Sequence, residues 1–195
     1  MFTGIVTDLA RVRAVLPGGD TGYEISTSYD ALALGASVAC SGVCLTVVAS
    51  GAGWFRVQAS AETRQRSTVG AWRIGSLLNL ERPLKLGDEL GGHLVSGHVD
   101  GVGHLVARQE EGDSLRAIFE APLELAAGIA GKGSVAVDGV SLTINEVTGR
   151  RFGANIIAHT RTVTSLGALA VGDPVNLEVD LIARYVARLM GKELA

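Results

Sequence analysis

The sequence predicts an all-β protein with two tandem, similar six-stranded Greek-key barrels plus a C-terminal α-helix. Three features support this fold class: an internal repeat, many short alternating segments separated by glycine, and a helical period confined to the last residues. Glycine makes up 26 of the 195 residues and falls where tight turns are needed. Because strands do not alternate with helices, small barrels are favoured over a parallel-sheet domain.

The internal repeat defines the two units. Residues 35–48 read GASVACSGVCLTVV and residues 132–145 read KGSVAVDGVSLTIN, with seven of 14 positions identical at an offset of 97. The same offset aligns GSLLNLE at 75–81 with GDPVNLE at 172–178, and an offset of 93 aligns TGIVTD at 3–8 with SGHVDG at 96–101. We therefore predict two barrel domains at residues 1–86 and 91–180, and a terminal helix at 181–195.

The individual elements follow from alternation and turn residues. In the first unit, strands are predicted at 4–15, 23–28, 37–42, 43–50, 54–59 and 77–82, with a helical turn at 28–34 and a short helix or turn at 62–69. In the second unit, strands are predicted at 99–109, 114–120, 134–137, 140–146, 153–157 and 175–179. Residues 122–129 are predicted to be helical, because proline suits a first helical turn.

The tail changes to a helical period. The apolar residues there are Leu181, Ile182, Tyr185, Val186, Leu189 and Met190, with Arg184, Arg188 and Lys192 on the opposite side. This spacing predicts one apolar stripe on a helix. The stripe must be buried either against the chain's own barrels or against a neighbouring copy, and the sequence leaves both open.

Composition excludes several classes of partner. The net charge of −3 gives no reason to expect nucleic acid or an anionic membrane as a partner. No apolar run is long enough to span a bilayer, and the first residues lack the features of a signal peptide. A cytoplasmic location is therefore predicted.

The cysteines and histidines give weak evidence for a metal or a disulfide. Cys40 and Cys44 are four residues apart in what looks like one strand, so their Cα atoms would be roughly 13 Å apart, too far for a disulfide. Two cysteines alone are a poor zinc site, and His93 and His98 are expected to face opposite ways. Each histidine is as well explained by a structural hydrogen bond. No metal or cofactor is predicted.

The repeated strand presents a polar pair in each copy. Alternation places Cys44 and Thr46 on one face in the first unit, and Ser141 and Thr143 on one face in the second. A strand with a solvated outer face would show the same pattern. Asp180 is a further candidate, although a helix N-cap explains it equally well.

Several motifs in order resemble one family. MFTGIV, SGVCLTV, GGHLVSGHVDG, KGSVAVDGVSLTIN, ETRQRSTVG, HTRTVTSLG and VNLEVD are similar to the riboflavin synthase family of the homotrimeric alpha-chain type, over essentially the whole chain. The resemblance implies the duplicated barrel, a trimer formed through the C-terminal helix, and one 6,7-dimethyl-8-ribityllumazine bound by each barrel. The active site would pair the N-terminal barrel of one subunit with the C-terminal barrel of its neighbour.

The implied reaction is a dismutation that moves a four-carbon unit between two lumazines and needs no cofactor. Its products are riboflavin and 5-amino-6-(D-ribitylamino)uracil. Association with lumazine synthase is a further implied interaction. A non-catalytic lumazine- or flavin-binding relative with the same fold is the alternative.

The resemblance also implies site residues. For the N-terminal barrel they are Gly4, Ile5, Val6, Cys44, Leu45, Thr46, Gln58, Ala59, Ser60, Ala61, Glu62 and Thr63. For the C-terminal barrel they are Gly97, His98, Val99, Lys132, Ser141, Leu142, Thr143, Asn155, Ile156, Ile157, Ala158, His159 and Thr160. The residues implied to affect the rate are Phe2, Cys44, His98, Ser141, Thr143 and Asp180.

Four of these residues receive chemical roles. His98 is the candidate for proton transfer at the acidic 7-methyl group. A nucleophile added at C7 would be water, a ribityl hydroxyl, Ser141 or Cys44, and Asp180 would orient Ser141. Arg64 and Arg161 stand where the family often has leucine, and altered packing is expected there.

Overall fold

A computed structural model describes residues 1–30 and 32–191. Within these residues it contains two closed antiparallel barrels of six strands each and three short α-helices, so the predicted fold class is confirmed. The first barrel consists of β1 (Asp8–Leu16), β2 (Thr21–Ser26), β3 (Ser37–Cys40), β4 (Val43–Gly51), β5 (Trp54–Ala59) and β6 (Leu77–Glu81). The second consists of β7 (Gly101–Glu111), β8 (Ser114–Glu120), β9 (Ser134–Val137), β10 (Val140–Thr148), β11 (Arg151–Ile156) and β12 (Pro174–Val179).

Both barrels have the same strand order. The first closes in the order β1-β2-β5-β4-β3-β6, and the second repeats this order with every strand number raised by six. Alternate side chains on each strand point inward: on β8, Leu115, Ala117 and Phe119 are buried. Each barrel therefore encloses its own apolar core.

The two barrels meet around a local pseudo-twofold axis. On β6, the Asn79 side-chain amide donates to the Asp138 carbonyl at 2.9 Å, and on β12 the Asn176 amide donates to the Ser41 carbonyl at 2.8 Å. Gly42 and Gly139 lie in direct contact, because a Cβ on either would come within 2.7 Å of the other's backbone nitrogen. The repeat therefore reappears as a symmetric pair in space.

The first strand of each barrel begins later than predicted. The sequence placed these starts at residues 4 and 99, whereas β1 begins at Asp8 and β7 at Gly101. The preceding residues cross to the opposite barrel. We call residues 2–7 and 95–100 the crossing segments; they pair with each other through Phe2 and Val95. The left-handed φ angles of Gly4 (+76°) and Gly97 (+79°) turn the chain out of the strand path.

Three short α-helices and three 3₁₀ helices lie between or after the strands in the described residues. α1 spans Ala61–Arg66, α2 spans Ala158–Val163 and α3 spans Leu181–Leu189, and none is long and apolar enough to cross a membrane. The helical turn predicted at 28–34 does not form in the described part of that segment, which contains bends and a turn. The predicted helix at 122–129 is a 3₁₀ helix, Leu123–Gly128, with Pro122 as its N-cap.

The terminal helix leaves its apolar stripe uncovered by the barrels. Ile182 is 68% exposed and Leu189 is 88% exposed, and Tyr185, Val186 and Met190 are exposed as well. The other side of the helix is fixed by an ion pair, in which Arg184 lies 2.7 Å from the buried Asp100. The predicted residues 192–195, including Lys192, lie outside the described residues.

Candidate active site

The first barrel carries a cavity at the exposed edge of β4, which we call the N-seat. Its volume is about 230 Å³. The cavity is lined by Val43, Cys44, Ser60, Glu62, Thr63, Arg66, Ser67, Gly97, His98 and Val99. The wall from β4 and α1 thus belongs to the first barrel, whereas the wall from residues 97–99 belongs to the crossing segment of the second half.

The corresponding position in the second barrel, which we call the C-seat, is the edge of β10 at Ser141. Here the crossing segment comes from the first half, because the Ser141 amide donates to the Gly4 carbonyl at 2.8 Å. In the N-seat the Cys44 amide donates to the Gly97 carbonyl at the same distance of 2.8 Å. Each seat is therefore built from both halves of the chain.

This crossing corrects the grouping that the resemblance implied. Gly4 was expected beside Cys44, and Gly97 and His98 beside Ser141, whereas the structure pairs them the other way. The grouping given with the resemblance had assigned each segment to the barrel that it precedes in the chain. The glycines at the contact points explain the close approach: a Cβ on Gly4 would lie 2.6 Å from that of Ser141, and one on Gly97 would lie 2.7 Å from that of Cys44.

A buried carboxylate holds each crossing segment in place. Glu81 at the end of β6 accepts from the Thr3 amide, the Thr3 hydroxyl and the Gly4 amide at 2.6–3.0 Å. Glu178 on β12 accepts from the Ser96 amide, the Ser96 hydroxyl and the Gly97 amide at 2.6–2.9 Å. Burial raises the pKa of both carboxyl groups, and these donors oppose the increase. Sequence reasoning missed both residues, although the aligned NLE motifs contained them.

The repeated strands present their polar faces as predicted. Leu45 and Leu142 are buried, whereas Thr46 and Thr143 are exposed and Cys44 and Ser141 are half-buried. Alternation in β4 and β10 accounts for this arrangement.

The two cysteines differ in environment. Cys40 lies on β3 and Cys44 on β4, so the placement of both in one strand was wrong. Both thiols are free. Cys40 pairs with Val43 and Cys44 with Ala39, which directs the two thiols to opposite faces of the sheet. Burial raises the pKa of the Cys40 thiol far above its usual value, whereas Cys44 lines the N-seat.

The C-seat contains a histidine that sequence reasoning left unused. His93 Nδ1 lies 2.7 Å from Ser141 Oγ. Burial lowers the pKa of His93, and the charge of Asp180 opposes that decrease. Asp180 was expected to orient Ser141, but its carboxylate accepts from the Ile182 amide at 2.8 Å and caps α3. The GGH pattern at 91–93 was the available signal, since paired glycines permit close backbone approach.

Phe2 lies directly behind the N-seat, against Cys44 and Gly97, and does not line its cavity. Its side chain is fully buried with Ala39, Val95 and Ala136, and Cys44 packs against this cluster. Phe2 therefore anchors the pair of crossing segments from within the junction of the barrels.

The segments after β5 and β11 occupy equivalent places. Gln58 and Ala59 end β5, Ser60 caps α1, and Ala61, Glu62 and Thr63 form its first turn. Asn155 and Ile156 end β11, and Ile157 stands at the N-cap position of α2 without a capping hydrogen bond from its side chain. Ala158, His159 and Thr160 form the first turn of α2. Arg161 in α2 pairs with Glu110 through two hydrogen bonds of 2.7 and 3.0 Å, which gives this arginine a packing partner on β7.

Lys132 occupies a strained backbone position before β9. Its φ angle is +68°, and its counterpart Gly35 has φ +80°. A side chain at a left-handed φ costs roughly 1 kcal/mol relative to glycine. Within the described residues no cluster of three or more potential metal ligands is present.

Comparisons with known proteins agree with this architecture. The model of the lumazine binding domain matches the chain twice, at residues 3–83 and 96–180. Riboflavin synthase of Brucella abortus is 52% identical over 97% of this chain and 98% of its own. Riboflavin synthase of Photobacterium phosphoreum is 38% identical over 97% of this chain and 89% of its own.

Two solved structures share the fold. LumP complexed with riboflavin superposes with a TM-score of 0.84 at 24% identity, covering 92% of this chain and 99% of that one. LumP complexed with 6,7-dimethyl-8-(1'-D-ribityl)lumazine gives a TM-score of 0.81 at 23% identity, with the same coverage.

The duplicated barrel and the double match define the class: the chain belongs to the lumazine binding domain family. Within that family its function is that of the riboflavin synthases, and it is a transferase-type enzyme.

Proposed function

We propose that the chain converts two molecules of 6,7-dimethyl-8-ribityllumazine into riboflavin and 5-amino-6-(D-ribitylamino)uracil, with one lumazine held in each kind of seat. The observation that carries this proposal is the pair of related seats at Cys44 and Ser141, each crossed by a glycine-bearing segment of the other half. Two related but unequal seats suit a reaction in which one of two identical molecules gives a four-carbon unit and the other receives it.

The backbone of the repeated strand offers hydrogen-bonding groups to the pyrimidinedione edge of the lumazine. Thr46 and Thr143 are exposed along β4 and β10, next to Cys44 and Ser141. The cavity of the N-seat, about 230 Å³, is partly open, so a second heterocycle can lie over the first. Holding two reactants face to face removes much of the entropic barrier to their reaction.

His98 is the candidate for proton transfer in the N-seat. It is exposed on the crossing segment and lines the same cavity as Cys44 and Thr63. The 7-methyl group of the lumazine is acidic because its carbanion delocalises into the ring system. An imidazole suits removal of such a proton near neutral pH.

The seats of one chain are proposed to act with those of neighbouring chains in a homotrimer. The exposed stripe of α3, including Ile182, Tyr185 and Leu189, is the apolar surface that this assembly would bury. Riboflavin is the released product, and no metal or cofactor is part of the proposal. A cytoplasmic location and an association with lumazine synthase remain predictions from sequence.

The central test supplies purified protein with 6,7-dimethyl-8-ribityllumazine alone, in the presence of a chelator. The expected result is one riboflavin for every two lumazines consumed, followed by absorbance and chromatography. If the lumazine spectrum shifts on binding but no riboflavin forms, the non-catalytic binding alternative replaces this proposal.

The assembly is tested separately. Replacing Ile182 and Leu189 by glutamate should give monomers with little activity, measured by analytical ultracentrifugation and turnover. Leu86, which follows β6, is also fully exposed, so Leu86→Glu is the matched control and should leave the assembly unchanged. Trimers that persist in the double variant would contradict the role of α3.

A further inference from the structure

His93 is a buried titratable residue that the proposed reaction has not used. It is 9% exposed, and its Nδ1 lies 2.7 Å from Ser141 Oγ. Its other ring nitrogen, Nε2, is buried and has no hydrogen-bond partner among the described residues. Because leaving a buried polar atom unpaired costs free energy, packing alone is a poor reason to keep an imidazole here.

Backbone contacts of residues 92 and 93 place this imidazole in the C-seat. The His93 amide donates to the Thr3 carbonyl at 3.1 Å, so residue 93 runs beside the crossing segment that covers Ser141. The preceding residue must be glycine: a Cβ on Gly92 would lie 2.1 Å from the Thr3 oxygen and 2.8 Å from the Ser141 Cβ. The Ser141 hydroxyl is thus enclosed between Gly4, Gly92 and His93.

The direction of the hydrogen bond between His93 Nδ1 and Ser141 Oγ depends on the tautomer of the imidazole. Burial favours the neutral form and lowers the pKa of His93, despite the charge of Asp180. A neutral imidazole carries one N–H and one lone pair. If Nε2 carries the hydrogen, Nδ1 accepts from the Ser141 hydroxyl, and both lone pairs of Oγ are left for other contacts.

We propose that His93 is a positioning residue of the C-seat: its Nδ1 accepts the Ser141 hydroxyl hydrogen and so presents the Oγ lone pairs to the bound lumazine. The inference rests on the proposed function, since it takes the lumazine bound in the C-seat as the ligand that Ser141 contacts. It also distinguishes the seats. The imidazole of the N-seat, His98, is exposed on the crossing segment, whereas that of the C-seat is buried behind the reactive hydroxyl.

A double-mutant cycle between His93 and Ser141 tests this proposal by turnover. His93→Phe should lower kcat by about 100-fold, because the Ser141 hydroxyl loses its hydrogen-bond acceptor, and should change KM little. This is the lower end of the range for a residue that takes part in general acid–base catalysis. In the Ser141→Ala background the same substitution should change kcat by less than about twofold, because His93 acts through that hydroxyl. Equal losses in both backgrounds would overturn the proposal and leave His93 as a packing residue.

The conservative variant His93→Asn keeps an acceptor close to the position of Nδ1. It should recover at least about tenfold of the activity lost in His93→Phe, because one oriented hydrogen bond is restored. Thermal unfolding of each variant shows whether a loss reflects misfolding. If His93→Asn is as inactive as His93→Phe while both are folded, the acceptor role is wrong.

Nuclear magnetic resonance of ¹⁵N-histidine-labelled protein separates this inference from the proposed function. The expected tautomer of His93 has hydrogen on Nε2 and none on Nδ1, and the Nδ1 resonance should shift in Ser141→Ala. This readout needs no turnover, so it stands even if lumazine is not converted. Hydrogen on Nδ1 in the unmodified protein would overturn the inference.

Discussion

The N-seat and the C-seat are built on the same strand pattern but present different chemistry. In the N-seat the half-buried Cys44 thiol shares a cavity with the exposed His98. In the C-seat the Ser141 hydroxyl bonds to the buried His93. Duplication alone would give two equal seats. Under the proposed function, the differences at these four positions would let two identical lumazines play different parts. Each prediction below measures one difference between the two halves.

The largest expected effect separates Ser141 from Cys44. Ser141→Ala should lower kcat by about 100-fold or more, because it removes the hydroxyl that the C-seat orients. Cys44→Ala should lower kcat by less than about tenfold, since the N-seat keeps His98 and the threonines. Steady-state turnover with lumazine measures both. Losses of the same size would mean that the two seats are chemically equivalent.

The second difference lies at the junction of the barrels, where the second half has Asp138 at the position equivalent to Ser41 of the first half. Burial raises the pKa of Asp138 to about 7, although the Asn176 amide hydrogen bond opposes the increase. An unfolded aspartate has a pKa near 4, so the folded state holds its proton more tightly. This contribution to stability is present below about pH 4 and is lost as the pH rises through about 7.

Asp138→Asn should therefore raise the free energy of unfolding at pH 8 by about 2–4 kcal/mol and flatten its dependence between pH 4 and pH 8. Denaturant titration at several pH values measures this change. Ser41→Ala is the control, since it alters the equivalent position without a titratable group. If the variant keeps the pH dependence of the unmodified protein, Asp138 is not its source.

The third prediction exploits the crossing of the two halves. Glu178→Gln should loosen residues 96–99, and Glu81→Gln should loosen residues 3–5. Each change should lower the free energy of unfolding by about 1.5–3 kcal/mol, because a charged acceptor of three hydrogen bonds is lost. Only Glu178→Gln should speed alkylation of Cys44 by iodoacetamide, although Glu178 lies in the second barrel. Faster alkylation in Glu81→Gln instead would contradict the crossed arrangement.

The smallest expected effect concerns Lys132 and its counterpart Gly35. Lys132→Gly should raise the free energy of unfolding by up to about 1 kcal/mol, because glycine relieves the left-handed backbone. The same change should raise KM several-fold if the ammonium group contacts the substrate. An unchanged KM would show that Lys132 does not bind it.

Much of the fold could be predicted because a repeat and alternation are local properties. The spacing of Leu45 and Thr46, and of Leu142 and Thr143, fixed which faces would be buried, and β4 and β10 have those faces. The tail was predicted to be one apolar stripe, and α3 has that stripe. The prediction of a helical turn at 28–34 was wrong for the described residues of that segment, because helix formation over so few residues depends on tertiary contacts.

The candidate site was less accessible from sequence. The family motifs pointed to Ser141 and Cys44, but the grouping given with the resemblance placed Gly4 beside Cys44 and Gly97 beside Ser141, the reverse of what the structure has. Glu81 and Glu178 received no role beyond their predicted strands, and His93 was explained by a structural hydrogen bond. Their roles depend on contacts across about 50 to 80 residues, such as those of Thr3 with Glu81 and His93 with Ser141.

The sequence by itself determined two homologous barrels, the polar faces of their repeated strands and the Cys-to-Ser exchange between them. These are properties of neighbouring residues and of the repeat register. Only the tertiary structure decided that the seats are crossed, because hydrogen bonds from Cys44 to Gly97 and from Ser141 to Gly4 join residues far apart in the chain. Only the tertiary structure also placed a buried imidazole behind Ser141, since such a contact depends on how two backbones pack and leaves no periodic signal.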